Sequence, residues 1–186
     1  KGNYAGLLLG YSFNQTRYYR YSISPESGFQ AGITADMTYP WLGARAEDWT
    51  GEPVTLAQTV LTAEFRAYFP MPWWRNHVLA LRGVGGTTFG ARIDEGAFRL
   101  GGSFSEGSYL GSPSRGYQLR GYRSSAFSGD HLALMSLEYR FPLFFIERGV
   151  DTLPIFVRGF HMAVMFDIGQ AWNDGAYPTA ADISAG

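Results

Sequence analysis

Few of the groups that could do chemistry stand together in this chain. The histidines, His77, His131 and His161, lie far apart with no ligand spacing, so no metal site is expected. There is no cysteine, which excludes a disulfide framework and thiolate metal or redox chemistry. No Gly-x-Ser-x-Gly elbow occurs and no Ser/His/Asp set suggests itself, so no nucleophilic catalysis is expected. Gly83-Val84-Gly85-Gly86-Thr87-Thr88 has a superficial likeness to a phosphate-binding loop. It lacks a following lysine and helix, and reads as strand glycines. The expectation is a non-enzyme without cofactor or metal.

What remains is charge pairing. Gln118-Leu119-Arg120-Gly121-Tyr122 lies in a Gly- and Ser-rich connection between regular alternating segments. A loop of about 40 residues between strands is uncommon and usually functional or disordered. An arginine set among glycines and aromatics is not the composition of a disordered linker. An arginine carried into a confined interior needs a counter-charge, and its planar fork can grip a carboxylate with two bonds. Asp167, Glu138 and Glu64 are the carboxylates that strand parity places on polar faces. Arg120 is expected to pair with Asp167, with Glu138 as second choice. Gly121 lets the backbone turn tightly, and Tyr122 gives the tip a stacking surface.

The elements that would position these groups read as strands. From Tyr4 to about Ile23, Leu7, Leu9, Tyr11 and Phe13 alternate with Gly10, Ser12 and Asn14, the period of a strand with one apolar face. Gln15 and Arg17 interrupt the apolar face, as a bulge, a kink or the headgroup level would. Ser24-Pro25-Glu26-Ser27-Gly28 reads as a tight turn. Phe29 to Tyr39 alternates most clearly, and eleven tilted residues cover roughly 25 Å, the height of a bilayer's apolar band. Further strands are expected at Thr55–Phe69, at His77 to about Phe89, at Leu132–Phe141 and at Ile155–Trp172. Pro142 to Pro154 reads as a turn region. Asn173-Asp174-Gly175 reads as the opening of another loop. The tryptophans, Trp41, Trp49, Trp73 and Trp74 among them, read as interface anchors.

Composition agrees with an all-β membrane protein. Aromatics are 17% of the 186 residues, glycine supplies 24, and charged residues are only 17%, whereas a soluble domain carries nearer a quarter charged. The net charge of -1 leaves no basic footprint for nucleic acid. No apolar run approaches the ~20 residues of a membrane helix, and the mean hydropathy of -0.12 is that of a soluble chain. Barrels escape such averages because only alternate residues face lipid. Connections at 24–28, 70–76 and 142–154 are shorter than those at 40–54, 90–130 and after 172, the alternation of short periplasmic turns and long outer loops. Thr62-Ala63-Glu64-Phe65-Arg66 and Ser136-Leu137-Glu138-Tyr139-Arg140 form a weak repeat. Each puts Glu and Arg on one polar face, where they can neutralise one another inside a lumen.

Four stretches carry a resemblance: Phe98-Arg99-Leu100-Gly101-Gly102, Leu119-Arg120-Gly121-Tyr122, Leu137-Glu138-Tyr139-Arg140-Phe141-Pro142-Leu143 and Phe166-Asp167-Ile168-Gly169-Gln170-Ala171-Trp172. Together they resemble the carboxy-terminal barrel of the Omp85 superfamily, over most of residues 75–172. The resemblance implies an antiparallel transmembrane β-barrel of about sixteen strands. Residues 1–186 would supply about six meandering strands as one partial barrel domain, with the long loop at about 90–130 inserted. Both ends read as cut from a larger protein. The resemblance makes Arg120-Gly121-Tyr122 the tip of an outer loop folded into the lumen, with Asp167 as its strand partner. Ser103 to Arg115 reads as an insertion in that loop.

The function implied is assembly and insertion of other barrels in the bacterial outer membrane. The partners would be outer-membrane lipid, unfolded outer-membrane protein clients, periplasmic domains of the same chain and accessory lipoproteins, with no nucleic acid. Two alternatives stay open. One is a translocator of the two-partner-secretion type, exporting one passenger. The other is a barrel that anchors an upstream enzyme domain.

Overall fold

The structure is a computed structural model that describes residues 2–3, 5–19, 22, 24–47, 53–54, 56–90, 98–102, 116–149, 156–173 and 184–185. Tyr4, Tyr21, Ile23, Trp49, the Ser103–Arg115 segment and Asp174-Gly175 lie outside them. The chain opens with β1 (Gly2–Asn3), β2 (Gly6–Arg17) and β3 (Ser27–Thr38), then a short 3-10 turn at Pro40–Leu42. The strands β4 (Arg45–Glu47), β5 (Pro53–Val54), β6 (Gln58–Pro70) and β7 (Val78–Gly90) follow. Three short strands come next: β8 (Phe98–Gly101), β9 (Gly116–Gln118) and β10 (Phe127–Gly129). The last are β11 (His131–Gly149), β12 (Phe156–Trp172) and β13 (Ser184–Ala185).

The main sheet runs β13-β12-β11-β7-β6-β3-β2, antiparallel throughout. It is a meander with two interruptions: β4 and β5, between β3 and β6, pair with β1 in a small sheet, and β8, β9 and β10 leave the wall between β7 and β11 and form another. The period-two pattern settles which side chains share a face. Leu7, Tyr11, Phe13, Ile33, Phe65, Met135, Met162, Val164 and Phe166 stand exposed on the apolar face. So many exposed large apolar side chains in one sheet face require a non-aqueous cover.

The opposite face is polar, and its rows follow from the register. Gln30 faces Arg66, Arg66 faces Arg82, Arg82 faces Ser136, and Ser136 faces Asp167. This row crosses five strands. Glu64 lies one row away, opposite Gly32 and Val84, and Glu138 one row to the other side, opposite Ala80 and Met165.

Three expectations change. The Ser24–Gly28 turn is not tight: β2 stops at Arg17 and β3 starts at Ser27, with Gly28 inside the strand at φ 102°. Gln15 and Arg17 mark no bulge, since β2 and β3 pair in unbroken register up to Arg17 and Ser27. They break the apolar pattern because the strand is ending. The turn expected from Pro142 is a strand as far as Gly149. Pro142 is accommodated beside a register shift between Pro142 and Phe144, with a second shift between Phe145 and Arg148. A bulge is where a strand tolerates a residue that cannot donate. Because β7 pairs with β11 only from His131 to Arg140, the β11–β12 hairpin runs on past the wall.

Candidate functional site

The long connection folds back onto the polar face. β8 is the centre of its small sheet, paired antiparallel with β10 and parallel with β9. This sheet buries Phe98, Leu100 and Leu119 completely against Val60, Val84, Leu132 and Leu134 of the wall. All four wall residues sit at polar-face positions in the register, beside Thr62, Glu64 or Ser136. An apolar patch on an otherwise polar face is what holds the loop down, since burying each large side chain contributes roughly 1.5–3 kcal/mol. Phe98 reaches the wall where Gly86 has no side chain, and its ring fills the space that a Cβ would take.

The loop tip is fixed by its backbone as well. The amide of Leu119 donates to Gly101 O, and that of Gly102 to Arg123 O at 3.0 Å. Gly121 turns the chain at φ 86°, in the left-handed region that glycine tolerates. Tyr122 packs edge-on against Phe127, with ring centroids 5.3 Å apart.

These contacts deliver Arg120 to Asp167. Arg120 Nη1 donates to Oδ1 of Asp167 at 3.1 Å and to Oδ2 at 3.3 Å, while the Arg120 amide donates to Oδ2 at 3.2 Å. Asp167 is 1% exposed and the Arg120 side chain 37%. The carboxylate is therefore out of water and held by side chain and main chain of one residue. Such charge-assisted bonds are about twice as strong as neutral ones.

Glu138 is engaged elsewhere. It accepts from Arg140 Nη2 at 2.5 Å, its partner in the sequence repeat, rather than from Arg120. The other half of the repeat behaves alike, with Arg66 Nε 2.6 Å from Glu64 Oε1. Arg82 Nε also donates to that same oxygen at 2.9 Å. Parity puts Arg82 on the polar face, but its pairing with Glu64 needs the strand register, which sequence spacing does not reveal.

The histidines serve separate surroundings. His77 stacks on Phe141 and bonds the Tyr139 hydroxyl at 2.8 Å. His131 stacks on Trp172 across the apolar face, and His161 lies edge-on to Phe145. No group of three or more potential metal ligands occurs among the described residues. Trp73 and Trp74 are 61% and 65% exposed beside the Tyr139 and His77 cluster.

A wall with one apolar and one polar face, carrying a docked loop between β7 and β11, is thus in place. The model of the Omp85 superfamily domain matches residues 2–185. The chain belongs to the Omp85 superfamily. No curated protein matches the sequence. Omp85 membership makes the sheet part of an antiparallel transmembrane β-barrel. The apolar face is then the lipid side, and the polar face with its docked loop is the lumen side. Omp85 proteins reside in the bacterial outer membrane, where they insert or translocate proteins.

Proposed function

We propose that this Omp85 barrel folds and inserts other outer-membrane proteins. The observation that carries the reading is the docked tip, with Arg120 at the buried Asp167. A generic pore accounts for the strands but not for an Arg120-Gly121-Tyr122 tip held at Asp167. In an insertase the loop braces the wall while a strand edge elsewhere in the barrel templates an incoming strand. Unpaired strand edges are ready templates for such pairing. The clients are unfolded outer-membrane proteins, reached through the membrane rather than through the pore.

A second reading is export of one passenger through the lumen. The hydrophilic row of Gln30, Arg66, Arg82 and Ser136 beside the loop favours it. Depletion of the full-length protein in its host, followed by quantitative proteomics of the outer membrane, separates the two. A broad fall in folded barrels is the expected result. Loss of one secreted protein with other barrels unchanged replaces it with the translocator. No change in either leaves the barrel as an anchor for another domain.

A further inference from the structure

Arg66 and Arg82 are directly opposite one another across the β6–β7 pair. Like charges in that position repel and destabilise a sheet. One carboxylate oxygen, Glu64 Oε1, serves the Nε atoms of both. Nearby, Arg120 is matched by Asp167 and Arg140 by Glu138. Among the described residues, four guanidinium groups therefore face three carboxylates on one stretch of lumen wall, and the surplus positive charge falls at the Arg66–Arg82 pair.

The same four arginines line one cavity of about 190 Å³ between the wall and the docked loop tip. Ser136 and Gln118 add neutral hydrogen-bond donors to its lining, and the one carboxylate among the described lining residues, Glu138, is paired with Arg140. The ion pairs occupy one nitrogen of each guanidinium, Nε in Arg66 and Arg82, Nη1 in Arg120 and Nη2 in Arg140, and Arg66 also bonds the Tyr68 side chain. A guanidinium offers donors on three nitrogens. The cavity thus combines spare planar donors, a surplus charge and space for a small group.

We infer that this cavity is a binding site for a small oxyanion, a carboxylate or a phosphate, centred on Arg66 and Arg82. Planar forks match both anions in geometry. An anion bound there relieves the repulsion between the opposed arginines and ties wall strands β6 and β7 to the loop tip through Arg120. Occupancy of the site then supports the docked loop, independently of whether the barrel inserts or translocates.

The test is the melting temperature of the full-length protein in detergent, with phosphate, acetate or chloride at equal ionic strength in the tens of millimolar. Phosphate or acetate is expected to raise it by about 3 °C over chloride, the size of a ligand-linked shift well above its Kd. A rise with phosphate alone assigns a phosphate site, with acetate alone a carboxylate site, and with both a general oxyanion site. Arg82→Gln and Arg66→Gln each leave Glu64 one partner and remove the like-charge contact. Each is expected to melt in chloride no lower than the native protein, and to lose the response to phosphate and acetate. No rise over chloride in the native protein overturns the proposal and assigns the surplus charge to a carboxylate elsewhere in the barrel. An equal rise in native protein and both variants overturns it too, because the anion then acts elsewhere.

Discussion

The ring of Phe98 occupies the place that a side chain at position 86 would take, so one residue of the loop and one glycine of the wall are fitted to each other. A Cβ at Gly86 would lie 2.6 Å from Phe98 Cε1 and closer still to Cζ. Alanine for glycine inside a strand ordinarily gains about 0.5–1 kcal/mol. Here overpacking is expected to cost about 1–3 kcal/mol and reverse the sign. Gly86→Ala should lower the melting temperature and expose the loop to protease. Gly85→Ala is the control, because nothing lies within 4 Å of its Cβ position. Equal effects at the two positions would show that Phe98 does not rest on Gly86.

Removing Arg120 leaves a carboxylate that is 1% exposed without its cation. Breaking a buried pair costs about 3–5 kcal/mol, and the partial exposure of Arg120 argues for roughly 3 kcal/mol. Arg120→Ala should destabilise more than Arg120→Ala combined with Asp167→Asn, since the second change removes the stranded charge. A double-mutant cycle in detergent measures the coupling, with an expected value of about 2 kcal/mol. Strictly additive changes would mean that the two residues do not hold each other.

Leu119 precedes the tip and is fully buried against the wall. Leu119→Ala is expected to cost about 3 kcal/mol through the cavity it leaves. Limited proteolysis should then cut the loop while the wall strands stay protected. If cleavage spreads to the wall at the same rate, the loop and the sheet unfold as one unit.

At the short-turn end, Glu26 Oε1 accepts from Ser22 Oγ at 2.7 Å and from Asn76 Nδ2 at 2.8 Å. These bonds tie the connection before β3 to the one between β6 and β7. Glu26 is 8% exposed. Glu26→Ala strands both donors and should cost about 2 kcal/mol, with Glu26→Gln less damaging because it still accepts. Hydrogen exchange at the Met71–His77 connection is the readout. Protection unchanged in Glu26→Ala would show that the latch carries no weight.

Much of the wall was legible because a strand repeats every two residues. Leu7, Ile33, Phe65, Met135 and Phe166 announce one face, and Glu64, Glu138 and Asp167 the other, without any knowledge of neighbours. Arg120 was legible as an arginine that a flexible linker has no reason to carry. The folded interior of the loop was not, because β8 meets β9 and β10 across long stretches of chain with too few residues to show a period. A usable signal was present: Val60, Val84, Leu132 and Leu134 are apolar at polar parity on adjacent strands, and such an anomaly asks for an apolar partner. The Glu64–Arg82 pair depends on register, which alternation leaves open by any even number of residues. Pro142 misled for a related reason, since proline stops a regular ladder but not a bulged one.

The overhang of β11 has a bearing on how deep the barrel sits. Beyond Arg140 the strand pairs with β12 alone among the described residues, so its other edge carries main-chain groups with no sheet partner up to Gly149. Nine residues of strand reach about 30 Å. Hydrocarbon cannot solvate unpaired amides and carbonyls. Leu143, Phe144, Phe145 and Ile146 on the ribbon are exposed apolar side chains unsuited to water. The ribbon therefore has to lie along the interface, its free edge toward water and its apolar side chains toward lipid. The floor of the oily layer is thereby drawn near Arg140, the level at which Trp73, His77, Tyr139 and Phe141 gather. A spin label walked along β11 would find oxygen accessibility falling away at that line, which makes the strand a depth gauge for the whole barrel.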